Sequence, residues 1–171
     1  MQDNANLALT LRKVKDKLKE ADVHWAVFAG AAAHCYGSKR KVTDIDILVK
    51  SSDFEKAKAV LKNIPKVDVV ADLEIVIDGK TYLFFMDEEM EEKLQHRKLF
   101  GVDVPVIPVE DNIIFKAILQ RTEKQGKHDI EDIFCMITSE RIDVEYLRRK
   151  IRKYHAEKRV EPLLVRLGVL L

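Results

Sequence analysis

Cysteine is nearly missing: Cys35 and Cys135 are the only two in 171 residues. They form no CxxC pair, which speaks against a disulfide framework, a cysteine metal cluster and a dithiol redox motif, and both read as reduced, buried thiols. Glycine (6) and proline (4) are also scarce, and no internal repeat or low-complexity linker divides the chain. No apolar run approaches the ~20 residues that span a bilayer. The opening MQDNANLALTLRK lacks the uninterrupted apolar stretch of a secretory signal. Charge of one sign is absent too: 30 basic against 29 acidic residues leave +1, which gives no support for bulk DNA binding or a membrane surface. What remains is a cytoplasmic, globular chain, of single-domain length.

Periodicity predicts the elements. Leu7, Leu11, Val14 and Leu18 place a helix over 4–20. VHWAVFAG (23–30) reads as a central strand, with Trp25 in the core, and AAAHCY as a short helix ending at Gly37. TDIDILVK (43–50) is a second strand. Ser52 to Glu55 form a capping box for a helix to about Asn63, closed by Pro65. Residues 66–85 are strand-rich, with Asp78-Gly79 as a hairpin turn. EEMEEKLQHRK reads as a helix. VDVPVIPV (102–109) reads as an edge strand, because proline donates no ladder hydrogen bond. From Glu110 onward the pattern is helical, with breaks near Gly126, 138–143 and Pro162. The expected fold is α/β (α+β): a small mixed sheet with flanking helices over 1–109, then a helical C-terminal extension over 110–171.

The densest chemistry lies in FAGAAAHCYGSKRKVTDIDILV. Side chains alternate along a strand, so Asp44 and Asp46 share one face. Paired carboxylates repel, and a shared cation such as Mg²⁺ relieves them. A third carboxylate on a neighbouring strand would complete such a site: Asp68 is the best placed, with Asp72 and Glu74 as alternatives. Gly30 at the strand-to-helix turn would let backbone N–H groups approach a phosphate, and Lys39, Arg40 and Lys41 lie in the loop that follows. Farther on, Asp129 and Asp132 sit one helical turn apart, with Lys116 on the preceding helix. They read either as part of the site or as a helix cap and a surface ion pair. His128 with Asp132 reads as a surface pair, and His34 and Cys35 as core.

This segment resembles the signature of the nucleotidyltransferase superfamily with the DNA polymerase β-like fold. Gly30 matches the signature's glycine, and Asp44-Ile45-Asp46-Ile47, 14 positions later, matches its acidic strand. PVIPVEDNIIFKAILQRTEKQGKHDIEDI is similar to a later pattern of small prokaryotic stand-alone members associated with toxin–antitoxin and abortive-infection systems. The resemblance spans roughly residues 20–135. It implies a Mg²⁺- or Mn²⁺-dependent enzyme moving a nucleoside monophosphate from a nucleoside triphosphate to a hydroxyl on a protein, a tRNA or a small molecule. Asp44, Asp46 and Asp68 would be catalytic metal ligands. Gly30, Ala31, Lys39, Arg40 and Lys116 would hold the nucleotide. Ala31 stands where the family has Gly or Ser, so phosphate contact there would rest on backbone N–H groups. That departure leaves an alternative: a catalytically weak binding module acting as an antitoxin-like partner for the product of a neighbouring gene.

Overall fold

The computed structural model describes residues 2–171. Helix α1 (Gln2–Glu20) buries Leu7, Leu11, Val14 and Leu18 and leaves its lysines outside. Strand β1 (Trp25–Phe28) is buried throughout, and α2 (Ala29–Cys35) follows it without a loop. Strand β2 (Ile45–Val49) leads through a 3-10 turn at Ser51–Asp53 into α3 (Phe54–Leu61). The expected capping box is not made: no side chain caps either element. Strand β3 (Val67–Val70) precedes a hairpin of β4 (Leu73–Ile77) and β5 (Lys80–Phe84). Its turn residues Asp78 and Gly79 have φ of 50° and 77°, as a two-residue hairpin loop requires.

The next stretch differs from expectation. Helix α4 (Glu88–Glu92) is one short turn, and QHRKL forms β6 (Gln95–Leu99) rather than continuing the helix. Strand β7 (Val102–Val106) lies inside the five-stranded sheet, whose order is β3-β2-β1-β7-β6, so the edges are β6 and β3. Pro105 is tolerated there because β7 meets β1 over the single pair Val27↔Val106. The remaining helices are α5 (Val109–Leu119), α6 (Asp129–Ser139), α7 (Val144–Lys153) and α8 (Glu157–Arg166). Pro162 sits inside α8, which runs through it on the buried side chains of Val160, Leu163 and Leu164. The chain turns instead at His155, with φ 51°. No described helix is long and apolar enough to cross a membrane.

The sheet is mixed. β1 is antiparallel to β2 and parallel to β7, while β2 and β3 are parallel. Register decides what meets. Phe28 lies opposite Asp46, and Asp46 lies opposite Asp68. Partners in register share a face. On that face Phe28 packs against Phe84 of β5 (6.2 Å between ring centroids) and Phe115 of α5 (5.2 Å). The hairpin and α5 therefore cover the face that carries Asp46. One cluster of buried apolar side chains runs from Leu7 to Val169, with residues on both sides of position 109.

The α2–β2 loop is pinned at Gly37. Its φ is 106°, and a Cβ there would meet Ser139 Oγ at 2.4 Å and Cβ at 2.8 Å. Gly37→Ala is expected to destabilise the protein by about 2 kcal/mol, from a left-handed backbone plus a clash. Urea melts of Gly37→Ala and of Gly37→Ala/Ser139→Gly check this: the second change should recover the clash and leave the backbone strain. No recovery would mean that the close approach to α6 does not matter.

Candidate active site

Four parts of the fold converge on a cleft of about 390 Å³. The α2 start supplies Ala29, Gly30 and Ala31. The α2–β2 loop supplies Ser38, Arg40, Lys41 and Asp44, and β2 supplies Asp46. The α5–α6 unit forms the opposite wall with Lys116, Arg121, Lys127, Asp129 and Asp132. Asp44 and Asp46 line its acidic side; Asp68 is not part of the lining, but the three carboxylates each offer an oxygen within 4.8 Å of the others. Asp46 is half-buried, and the other two are exposed. Among the described residues, no lysine or arginine is ion-paired to any of the three; Asp44 accepts a 3.0 Å hydrogen bond from Thr43 Oγ1. Asp72 and Glu74 are not part of this group. Burial pushes the Asp46 carboxyl up to about 6, and the charges of Asp44 and Asp68 push it the same way. An all-oxygen, accessible donor set without an ion pair of its own fits a hard divalent cation such as Mg²⁺ or Mn²⁺.

The turn at the cleft floor is made differently from expectation. The left-handed residue is Ala29, with φ 58°, not Gly30. Ala29 is clamped by a buried side chain: its N–H donates to Asn112 Oδ1 at 2.8 Å, and its C=O accepts from Asn112 Nδ2 at 3.1 Å. Gly30 lies within α2, exposed, and a Cβ there would meet nothing within 4 Å. Ala31 is buried and brings no hydroxyl.

The opposite wall is a buried ion network rather than a surface pair. Lys116 Nζ lies 3.0 Å from Asp129 and 2.8 Å from Asp132. Arg121 grips Asp129 through Nε and its backbone N–H, both at 2.9 Å. Burial alone would raise the Asp129 carboxyl, but Arg121 and Lys116 outweigh it and hold it below the usual range. His128 does not pair with Asp132; its Nδ1 lies 3.0 Å from Glu131. Lys39 lies outside the cleft and is exposed, while Lys41 reaches Asp3 at 2.7 Å. His34 and Cys35 are only partly buried; the His34 ring lies 5.5 Å from that of Phe100, and burial raises the Cys35 thiol to about 11, which keeps it unreactive.

Asn112, Ser38, Arg121 and Lys127 were not singled out from the sequence. Asn112 had a readable signal: a polar residue one turn before Lys116 in a helix that is otherwise apolar after its acidic first turn. Ser38 and Lys127 carry none. A larger hollow of about 830 Å³ opens at the other end of β1 and β2, around Trp25, Lys50 and Leu94. Many of its charges are already paired: Glu91 with His24 and Lys50, and Asp103 with His96. It collects no carboxylate group like that of the cleft.

No protein-family profile matches the chain, and no curated protein matches its sequence. Solved structures do match its shape. The antibiotic-resistance factor ANT(2'')-Ia superposes in its solution structure with a TM-score of 0.62 at 15% identity, over 90% of this chain and 95% of that one. Its crystal structure with adenylyl-2''-tobramycin gives 0.58 at 16%, over 85% and 97%. The fold is that of the nucleotidyltransferases. A candidate nucleotidyltransferase from Thermotoga maritima agrees, with a TM-score of 0.53 at 18% identity over 86% of this chain and 93% of that one. In this chain β2, the residue before it and the adjacent β3 carry the carboxylates, and the helices after the sheet form the facing wall.

Proposed function

We propose that this protein is a metal-dependent nucleotidyltransferase that moves a nucleoside monophosphate from a nucleoside triphosphate to a hydroxyl acceptor. The observation that carries this reading is the triad of Asp44, Asp46 and Asp68, free of ion pairs of its own, with Asp44 and Asp46 lining a cleft whose other wall is cationic. Mg²⁺ or Mn²⁺ held by the three carboxylates would neutralise phosphate charge and acidify the attacking hydroxyl. Asp68, exposed at the edge strand β3, would take the proton of that hydroxyl. Arg40, Lys41 and Lys116 would face the triphosphate, and the open Cβ direction of Gly30 leaves room for it. ANT(2'')-Ia was solved with an adenylylated small molecule. By analogy, the acceptor here is a small molecule, a tRNA or a protein, including the product of a neighbouring gene. Function lives in the site rather than in the fold, so the acceptor class follows from experiment.

The second reading, a binding module of the toxin–antitoxin type without turnover, is favoured by Ala31 alone. Against it stands the cost of keeping three neighbouring carboxylates with no cation.

A melting scan separates the two. The wild type and Asp44→Ala/Asp46→Ala would be heated with Mg²⁺ and each of the four common triphosphates. Stabilisation of about 2.7 kcal/mol is expected at a hundredfold excess over Kd in the wild type. The double variant should show none. No shift with any triphosphate would remove the transferase reading and leave the binding module.

A further inference from the structure

This inference rests on the nucleotide reading above and assigns a role within it. α2 has seven residues and Ala31 brings no hydroxyl, so beyond backbone N–H groups the charged partners open to a triphosphate are the side-chain cations of the cleft. Lys116 is committed to two carboxylates and Arg121 to Asp129. Arg40 is differently placed. It lines the cleft beside Gly30, Asp44 and Asp46, with its side chain 39% exposed. Nη1 donates to Asp132 Oδ2 at 3.3 Å, which uses one of its five N–H donors. Asp132 itself is 3% exposed. Its other oxygen accepts from Ser38 Oγ at 2.8 Å. Ser38 in turn takes the Arg40 N–H at 3.4 Å, and His34 Nδ1 lies 3.3 Å from the Arg40 C=O. Gly37 seats the same loop against Ser139. A buried carboxylate on α6 thus reaches across more than ninety residues to hold a half-exposed guanidinium. A free arginine side chain loses rotamer freedom when it binds; one already held loses less. Three cations against two carboxylates also leave this wall with surplus positive charge, opposite the acidic triad.

The geometry points to Asp132 as a positioning residue that, through Arg40, presets a guanidinium for the terminal phosphates of the triphosphate. Titration calorimetry with Mg²⁺ tests it on the wild type, Arg40→Gln, Asp132→Asn and Arg40→Gln/Asp132→Asn. The probes are the nucleoside triphosphate that stabilises the protein most, the matching monophosphate and inorganic triphosphate. Each single variant should weaken both triphosphate probes about tenfold, the size of one charge-assisted hydrogen bond. Monophosphate binding should change less than twofold. The double variant should bind no worse than Arg40→Gln alone, because both changes remove one contact. Additive losses near a hundredfold, or an effect of Asp132→Asn with none from Arg40→Gln, would overturn the inference. Equal losses for the monophosphate would overturn it too, by showing a general collapse of the cleft. A wild type that binds no triphosphate would instead bring down the nucleotide reading, and Asp132's role with it. If Asp132→Asn does not fold, Asp132→Glu takes its place; unchanged triphosphate affinity in a folded Asp132→Glu that has lost its hold on Arg40 counts against the proposal.

Discussion

Asp46→Asn is expected to melt higher than the wild type in buffer stripped of divalent ions, and to lack the stabilisation by Mg²⁺ and triphosphate that the proposed function predicts. The two effects have one cause. Asp46 is half-buried, in register with Asp68 and two residues from Asp44. Burial first, and then the charges of Asp44 and Asp68, raise its carboxyl to about 6 from an ordinary 3.8. The folded protein therefore holds this proton more tightly than the unfolded chain. Its stability falls as pH rises from about 4 to about 6, and the deficit persists above that. At pH 7 the ionised carboxylate costs about 2 kcal/mol, with allowance for its partial solvation. The neutral amide removes that cost, for a gain of roughly 5 °C in Tm. Metal affinity at the proposed site would have the opposite sign: it would rise with pH through about 6 as Asp46 gives up its proton. Melts at pH 5 and pH 7.5, with EDTA or with Mg²⁺ and triphosphate, read both arms. A lower Tm for Asp46→Asn in EDTA would mean that the protein itself already compensates this carboxylate.

The acidic strand was legible because it rests on short-range rules. Period-2 alternation puts Asp44 and Asp46 on one face, and a helix between β2 and β3 makes a parallel neighbour that carries Asp68. The Asp78-Gly79 turn was legible for the same reason, as local backbone chemistry. The failures have a common origin in partners distant in sequence. QHRKL has no apolar alternation because β6 is an edge strand: His96 and Lys98 face water, while the inward face is filled by Gln95 and by Arg97, which pairs with Glu140, and so it read as more helix. β7 read as an edge because of its prolines, but the sheet needs only one pair from it on the β1 side. Asp129 and Asp132 at helical spacing look the same in sequence whether solvated or buried. Only Lys116, Arg121 and the Ser38–Arg40 loop, arriving from elsewhere, make them interior. The clamp on Ala29 was hidden likewise, since Asn112 lies 83 residues away.

The largest loss of stability is expected at a second buried network, where α7 is bolted to α5. Lys150 is fully buried, with Nζ 2.7 Å from Asp87 and 3.3 Å from Asp111, which is itself fully buried. Asp111 also accepts hydrogen bonds from the hydroxyls of Tyr146 and, at 3.5 Å, Tyr154. Burial raises the Asp111 carboxyl to about 6, and Lys150 and Tyr146 keep it from going higher. Lys150→Met keeps much of the stem and removes the charge, leaving a dry carboxylate with two phenols. Breaking a buried pair in this way costs about 3–5 kcal/mol, a large share of a marginal total. The sign with pH follows from the raised Asp111 carboxyl. Near pH 5 Asp111 is mostly protonated in the folded wild type, so the variant loses chiefly the contact to Asp87. Above pH 6 the wild type gains a charged pair that the variant cannot form, and the variant must hold its proton against the solvent. The deficit should therefore widen from pH 5 to pH 8 in urea melts. Asp111→Asn/Lys150→Met should recover most of it at pH 8, because no buried charge is then left alone. A deficit equal at both pH values, or unrecovered in the double variant, would place the loss in packing of the lysine stem. Asp111 adjoins Asn112, and Lys116 follows a turn later on α5. The same helix thus ties the C-terminal helices to the cleft floor, and a charge left alone at its start weakens the support of the wall that faces the acidic triad.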